Sequence, residues 1–229
     1  MCKILVVGDL HGDWGKLNAL IAQKQPQYVL QCGDFGWWPA LETKRPVLYG
    51  QKKPWKLKGV KPGKANVFWC DGNHEDHWAL KRGEPGRSYE KVMYMPRGST
   101  ISLPDGRVVL FMGGASSIDR SERTMGIDWF PEEIISYPEL DEALAHARVD
   151  IVISHTCPTD FNVQCNRGSD RKNDDPCRVA LSAILNKYKP GLWVFGHWHR
   201  SQSGRHNNTY WQCLDYPGHG GRWWDWVKC

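Results

Sequence analysis

Five short stretches of the sequence combine acidic, imidazole and amide side chains with glycine or serine, and each stretch follows an apolar run. They are Gly8-Asp9-Leu10-His11-Gly12, Gly33-Asp34-Phe35-Gly36, Asp71-Gly72-Asn73-His74-Glu75, Ser154-His155 and Gly196-His197-Trp198-His199. Imidazole and carboxylate donors together suit manganese, iron, zinc or nickel better than calcium or magnesium. The five stretches therefore predict a transition-metal site.

Two pairs of these side chains have the same spacing. Asp9 and His11 are two residues apart, as are His197 and His199. In an extended strand, side chains two residues apart point to the same face. Strand-like geometry would therefore aim both members of each pair in one direction, and the neighbouring glycines would let the backbone turn sharply.

The elements that must position these side chains are short strands alternating with helices. The pattern predicts strands at Lys3–Val7, Tyr28–Cys32, Asn66–Cys70, Val92–Met95, Ile101–Leu103, Arg107–Met112, Asp150–Ser154, Leu192–Phe195 and Tyr210–Leu214. It predicts helices at Asp13–Gln23, His77–Lys81 and Pro138–Arg148, and a further helix that starts at Asp174-Asp175-Pro176 and runs to about Lys187. Early alternation favours a parallel α/β order, and the later hairpins favour mixed sheets. Because ligand groups in such sheets collect at the carboxyl ends of strands, all five stretches can converge on one site.

Length and composition limit the class of protein. The chain has 229 residues, a net charge of +5 and 41% hydrophobic residues, which predicts one soluble domain over residues 1–229. The first apolar run is too short for a signal peptide, and no run reaches the ~20 residues of a membrane span, so we expect a cytoplasmic protein without membrane contact. The eight cysteines are spread singly, which favours buried free thiols over disulfides.

The five stretches, in this order, resemble the calcineurin-like metallophosphoesterase family over about residues 8–199. The matching pattern is Asp-x-His, Gly-Asp, Gly-Asn-His-Glu, His and Gly-His-x-His. The resemblance implies an α/β fold: a four-layer α/β/β/α sandwich of two mixed sheets flanked by helices. It also implies two divalent transition-metal ions, with manganese the first expectation and iron, zinc or nickel as alternatives.

The resemblance further implies a role for each matching residue. One metal would be held by Asp9, His11 and His199, the other by Asn73, His155 and His197, and Asp34 would bridge them. A hydroxide shared by two ions ~3.5–4 Å apart would attack phosphorus, because such ions lower the pKa of water toward ~7. Asn73 and His74 would bind the substrate phosphate, and His74 would protonate the leaving oxygen, with Glu75 or Asp76 as its orienting partner.

Departures from the family narrow the substrate. Ser/Thr protein phosphatases have phosphate-binding arginines where this sequence has Phe35-Gly36 and Asp71, which argues against that activity. The stretch from Gly113 to Arg120 resembles a small bacterial and phage-encoded branch whose members hydrolyse phosphodiesters, including 2′,3′-cyclic nucleotides, often with manganese. Arg120 or Arg123 would then either contact the substrate phosphate or hold its own loop.

Other segments leave two interpretations open. Residues 43–70 contain no acidic residue but many lysines with Tyr49 and Trp55, which fits either a nucleic-acid surface or a solvated loop. Tryptophans beside the motifs could stack on a base or simply pack; they are Trp37, Trp38, Trp78 and Trp198. The cluster Trp223-Trp224-Asp225-Trp226 is expected to cover a sheet edge or core face, or to form a dimer contact.

The sequence thus favours a dinuclear-metal phosphodiesterase acting on 2′,3′-cyclic nucleotides or nucleic-acid ends. A broad phosphomonoesterase is the alternative within the same class. A non-catalytic nucleic-acid-binding module on the same scaffold is the alternative of another class. Such a module would be expected to have lost metal ligands or the substrate-facing histidine, whereas this sequence keeps the whole set. The oligomeric state stays open.

Overall fold

The structure, a computed structural model, describes residues 2–39, 59–84, 86–164 and 175–227. One sheet has the order β11-β1-β2-β3-β4. Its strands are β1 (Ile4–Val7), β2 (Tyr28–Gln31), β3 (Asn66–Trp69), β4 (Val92–Tyr94) and β11 (Trp224–Trp226). The first four run parallel, and β11 pairs antiparallel with β1. The sheet is therefore mixed.

The second sheet has the order β5-β6-β7-β8-β10-β9. Its strands are β5 (Thr100–Ser102), β6 (Val108–Met112), β7 (Ile151–Ser154), β8 (Leu192–Phe195), β9 (Gln202–His206) and β10 (Thr209–Cys213). The four inner strands are parallel, and both edge strands pair antiparallel with their neighbours.

The helices begin at residues that satisfy their first backbone donors. They are α1 (Trp14–Lys24), α2 (His77–Lys81), α3 (Tyr137–Leu144) and α4 (Pro176–Tyr188). Asp13 accepts a hydrogen bond from the backbone of Lys16 at the start of α1, and Asp175 caps α4 just before its first-turn proline. Asp13 and Asp175 are therefore the N-cap residues of these two helices.

Alternation along β1 shows how the layers stack. Ile4 and Val6 pack into the core between the two sheets, whereas Leu5 and Val7 pack on the opposite face against α1. The second sheet repeats this arrangement, since Val152 faces α4 while Ile153 faces the first sheet. Strands buried on both faces read as continuous apolar runs. The predicted four-layer α/β/β/α sandwich is confirmed.

Several predicted boundaries and connections differ from the structure. The helix predicted to reach Arg148 ends at Leu144, and the His146 ring instead lies 2.6 Å from the carbonyl oxygen of Gly98. Strand β9 was not predicted, because Gln202–His206 is polar and lies at an edge. Strand β11 was not predicted either, and its pairing with β1 places the tryptophan cluster at a sheet edge, one of the expected positions.

Other expectations concern thiols, membranes and the basic segment. All six cysteines within the described ranges are free, and five of them are buried. Among the helices of those ranges, none combines the length and apolar character that a bilayer span requires. Most of the basic segment, with Tyr49 and Trp55, lies outside the described residues.

Candidate metal centre

The five sequence stretches meet at one end of the sandwich. Three follow β1, β2 and β3 of the first sheet, and two follow β7 and β8 of the second. All leave the carboxyl ends of parallel strands, as predicted from the strand order. The side chains that converge there therefore come from both sheets.

The first set of donors consists of Asp9, His11 and His199. The Nε2 atoms of His11 and His199 lie 3.1 Å apart, and His199 Nε2 lies 3.2 Å from Asp9 Oδ2. One donor atom from each residue falls within 4.8 Å of the others. Asp9 is fully buried, whereas the two imidazoles are partly exposed. In this set, therefore, the carboxylate is the buried donor and the two imidazoles are the donors nearer to solvent.

The second set consists of Asn73, His155 and His197. Asn73 Oδ1 lies 3.1 Å from His155 Nε2 and 3.0 Å from His197 Nδ1. The amide nitrogen of Asn73 donates to Ser117 Oγ at 3.0 Å, which turns the amide oxygen toward the imidazoles. His155 Nδ1 donates to the carbonyl oxygen of Cys32 at 2.8 Å, which leaves Nε2 as the nitrogen turned toward the site.

Asp34 lies between the two sets. Its Oδ2 is 3.7 Å from His11 Nδ1, and its Oδ1 is 3.4 Å from His155 Nε2. Oδ1 also accepts a 2.8 Å hydrogen bond from the backbone N–H of His74. One buried carboxylate is therefore positioned to serve both sets.

The backbone reaches this arrangement through turns. His11, Asp34, His197 and His199 all have positive φ values, from 44° to 65°. The prediction of strand-like geometry for the Asp-x-His and His-x-His pairs is therefore wrong. Left-handed conformations of non-glycine residues cost about 1–3 kcal/mol each and cluster at functional sites.

Glycine is required at two positions where the backbone touches a carboxylate. A Cβ atom on Gly196 would collide with Asp9 Oδ1, and one on Gly72 would collide with Asp34 Oδ1. The same carboxylates bind nearby backbone donors, since Asp9 accepts from the N–H of His197 at 2.9 Å. These glycines allow the loops of neighbouring strands to close over the acidic side chains.

The charges of the site favour bound cations. Burial alone would raise the pKa of Asp9 and Asp34, but the surrounding histidines hold both below the ordinary range. The two carboxylates outweigh burial at His155 and raise its pKa to about 10, while burial and His155 lower the pKa of His197 to about 3. Two buried carboxylates therefore recruit positive charge from the imidazoles around them.

The donor set fits divalent transition metals. It offers imidazole nitrogen, carboxylate oxygen and one amide oxygen, the mixture that manganese, iron, zinc and nickel accept. Cys32 and Cys70 lie nearby, but burial raises the pKa of both thiols well above the ordinary value, so they stay protonated and bind metals poorly.

His74 and Arg123 lie together beside the donor sets. Arg123 Nη2 is 2.6 Å from His74 Nε2 and donates to Asp119 Oδ2 at 2.9 Å. The His74 ring makes edge contacts with His11 and Trp38. Burial, assisted by Arg123, lowers the pKa of His74 to about 4, so the imidazole is neutral and its Nε2 accepts from the guanidinium. Arg123 is thus brought to His74, whereas Arg120 lies 4.2 Å over the Trp129 ring.

Glu75 and Asp76 contribute in other ways than expected. The two carboxylate oxygens of Glu75 accept from the backbone N–H groups of Gly36 and Gly72, at 2.8 and 2.5 Å. Asp76 caps α2 by accepting from the N–H of Ala79. The expectation that Glu75 orients His74 is therefore wrong: Glu75 ties the loop after β2 to the loop after β3.

Comparison with known proteins identifies the family. The model for calcineurin-like phosphoesterases (Metallophos) matches residues 2–201. The chain belongs to this family. No curated protein matches the sequence at a significant level.

Solved structures share the fold of this phosphoesterase. TT1561 of Thermus thermophilus has 13% identity and a TM-score of 0.58, with 94% of this chain and 89% of that chain covered. The phosphopantetheinyl hydrolase PptH from Mycobacterium tuberculosis has 13% identity and a TM-score of 0.54, with 98% and 95% covered. GAP50, the anchor in the inner membrane complex of Plasmodium, has 13% identity and a TM-score of 0.53, with 93% and 70% covered. At such identities the likeness establishes the fold alone.

In this phosphoesterase, Asp71 belongs to a buried ion pair. The Asp71 carboxylate accepts from Arg97 Nε at 2.9 Å and Nη2 at 2.7 Å, and from the Tyr94 hydroxyl at 3.0 Å. Arg97 also donates to the backbone carbonyls of Glu132, Glu133 and Ile134. The pair fastens the loop after β3 to residues 131–134, and sequence reasoning did not find it because its members are distant along the chain.

Replacing Arg97 with alanine should destabilise the phosphoesterase by about 3–5 kcal/mol, because a buried carboxylate loses its partner. For a chain of this size, that corresponds to a fall in melting temperature of roughly 6–20 °C. Both side chains are at most 3% exposed, so solvent screens the pair little. Denaturant unfolding measures the change in free energy.

Arg148→Ala is the matched control for Arg97→Ala. Arg148 pairs with Asp150 at 2.8 Å, but its side chain is 65% exposed. An exposed pair contributes about 0–1 kcal/mol. Equal losses of stability in the two variants would contradict a structural role for the Arg97–Asp71 pair.

The loop after β10 adds residues that sequence reasoning missed. The Tyr216 ring contacts His199 with ring centroids 4.6 Å apart, and it stacks on His219 at 4.8 Å. His219 Nδ1 lies 3.0 Å from Asp215 Oδ1. None of the five sequence stretches includes His219. Strand β10 lies beside β8, which brings this loop next to the His-x-His stretch.

Proposed function

We propose that this chain is a two-metal phosphodiesterase acting on nucleotides or nucleic-acid ends. The observation that carries the proposal is the convergence of donors from five loops around one shared carboxylate, with an arginine–histidine pair beside them. The seven donors are Asp9, His11, Asp34, Asn73, His155, His197 and His199.

Each set would hold one divalent ion, with Asp34 shared between them. Manganese is the first choice, and iron, zinc or nickel suit the same donors. Two such ions supply positive charge to the phosphate and lower the pKa of water toward ~7. The protein would hold the donor groups in fixed orientations. Ser117 orients the amide of Asn73, and the Cys32 carbonyl sets the tautomer of His155.

Arg123 and His74 would act on the substrate itself. The guanidinium is held by Asp119 and by the carbonyl oxygens of Asn73 and Asp128, so its direction is fixed. A phosphate oxygen would replace the contact between Arg123 and His74, because a guanidinium binds an anion more strongly than a neutral imidazole. The negative charge of the phosphate then favours a proton on His74, which can pass to the leaving oxygen.

The number of arginines at the site favours a phosphodiester substrate over a phosphomonoester. A diester phosphate carries one negative charge, whereas a monoester carries up to two. Among the described residues, Arg123 is the arginine in contact with His74, and Arg97 is committed to Asp71. The resemblance of the Gly113–Arg120 stretch to the small bacterial and phage branch also favours a phosphodiester substrate. A phosphomonoesterase is the second candidate, because the same donors and Arg123 would also bind a monoester phosphate.

Substrate comparison with metal-loaded protein tests the proposal. After removal of metals with a chelator and reloading with manganese, kcat/KM for bis(p-nitrophenyl) phosphate should exceed that for p-nitrophenyl phosphate by about tenfold or more, a difference of ~1.4 kcal/mol. The chelated protein should have no activity. Faster monoester turnover would favour the phosphomonoesterase, while absence of both activities would contradict any enzyme. Tight nucleic-acid binding without turnover would support the binding module.

A further inference from the structure

A polar groove of about 820 Å³ opens beside the candidate metal centre. It lies among the loop after β7, strand β9 and the loop after β10, and its lining includes Asn162, Gln164, Arg200, Ser203, Arg205 and His219. His199 lines the groove and also belongs to the first donor set. The groove therefore adjoins the candidate metal centre, and its volume is near the upper end of ligand pockets, about 300–1,000 Å³.

The charged side chains that line the groove include two arginines and two aspartates, and the arginines are its groups for an anionic ligand. Neither Arg200 nor Arg205 forms an ion pair with a carboxylate of the described residues. The carboxylates that line the groove are already engaged: Asp160 accepts from the Ser182 hydroxyl at 2.6 Å. Asp215 accepts from His219 and from the backbone N–H of Gly221. Arg205 Cζ lies 5.9 Å from the centre of the Tyr210 ring, a contact that leaves its N–H donors available for a phosphate.

The lining of the groove also includes the imidazole ring of His219. His219 stacks on Tyr216 with an angle of 14° between the rings, and its side chain is 49% exposed. Asp215 holds His219 Nδ1, which fixes the plane of the imidazole. Proteins that bind single-stranded nucleic acid combine a basic groove with rings on which bases stack. This groove has both features.

We propose that the groove binds the single-stranded oligonucleotide that continues from the scissile phosphodiester. Arg200 and Arg205 each bind one of the neighbouring phosphates, and the His219 ring stacks on a base. The inference rests on the proposed function and narrows its substrate to oligonucleotide ends. A 2′,3′-cyclic mononucleotide has no second phosphate and would leave the groove unfilled.

A kinetic comparison tests the inference in the manganese-loaded full chain. The probes are a single-stranded DNA octamer and bis(p-nitrophenyl) phosphate, which has no neighbouring phosphate. The ratio of their kcat/KM values should fall about tenfold in the double variant Arg200→Ala/Arg205→Ala, because two phosphate contacts are lost. Arg107→Ala/Arg148→Ala is the matched control, since it removes the same charge at the amino ends of β6 and β7, opposite the site. The control should keep the wild-type ratio.

Binding of the octamer without metal provides a second measurement. Fluorescence anisotropy in the presence of a chelator gives the affinity over a range of salt concentrations. The slope of log K against log salt should be shallower by about 1.4 in the groove variant, since each contact with a single-strand phosphate contributes about 0.7. His219→Ala should weaken binding by about fivefold or more through lost stacking.

The outcomes separate the inference from the proposed function. An unchanged kinetic ratio together with an unchanged salt slope would overturn the groove as a nucleic-acid site. Preference of the enzyme for 2′,3′-cyclic mononucleotides over the octamer would also overturn it, while leaving the phosphodiesterase intact. If no diester were hydrolysed but the salt slope still depended on Arg200 and Arg205, the proposed function would fail and the groove would stand.

Discussion

Replacing Asp34 with alanine is expected to reduce phosphodiester hydrolysis by about 10³-fold or more, because metal charge stabilises the transition state by several kcal/mol. The carboxylate is 1% exposed and lies between His11 and His155, at 3.7 and 3.4 Å. It is positioned to be the shared donor of both sets. Without it, each donor set would lack the carboxylate that both would share, and the backbone N–H of His74 would lose its acceptor.

Metal content distinguishes this cause from general damage. Elemental analysis should find about two ions per wild-type chain and about one or fewer in Asp34→Ala. Asp105→Ala removes a carboxylate from the turn between β5 and β6, where Asp105 pairs with Arg107, and should leave both activity and metal content unchanged. An Asp34→Ala protein that binds two ions and retains wild-type turnover would refute the bridging role.

Replacing His74 with asparagine should lower turnover of a dinucleotide by about 10²–10⁴-fold, the usual contribution of a positioned general acid. Asparagine keeps a hydrogen-bond donor but cannot deliver a proton. The loss with bis(p-nitrophenyl) phosphate should be about tenfold or less, since p-nitrophenolate leaves without protonation. Initial rates with both substrates give the two losses directly.

Two comparisons make the His74 result specific. His146→Asn is the matched control, because this half-buried histidine contacts the Gly98 carbonyl away from the site. It should change neither rate. An equal loss with both substrates in His74→Asn would mean that the imidazole only contacts the phosphate, through the same pocket that holds Arg123.

The sequence predicts that the five stretches converge on one site, because this prediction uses only the local pattern of each stretch. Each stretch follows an apolar run that must be a buried strand, and parallel strands end at one edge. The layered fold was likewise predictable from the resemblance carried by the same motifs. The short strand β1 shows why: Ile4 to Val7 are all buried, so the run is continuous and easily recognised.

The features that the sequence did not predict depend on contacts between residues that are far apart along the chain. Strands β9 and β11 are short, polar or aromatic edge strands, and their register comes from β10 and β1 rather than from their own pattern. The left-handed conformation of His11 accompanies a hydrogen bond from its backbone N–H to the carbonyl oxygen of Asp34, in the loop of another strand. The Arg97–Asp71 pair and the Tyr216–His199 contact join residues that no spacing rule connects.

Each donor set draws its members from both sheets. In the first set, Asp9 and His11 follow β1 whereas His199 follows β8, and the second set is divided in the same way. An ion held by either set would therefore act as a cross-link between the two halves of the sandwich. Binding and folding become linked, since the coordination sphere exists only after the halves have docked. A nascent or partly unfolded chain would hold neither ion firmly, so hydrolytic chemistry would begin only in the completed molecule.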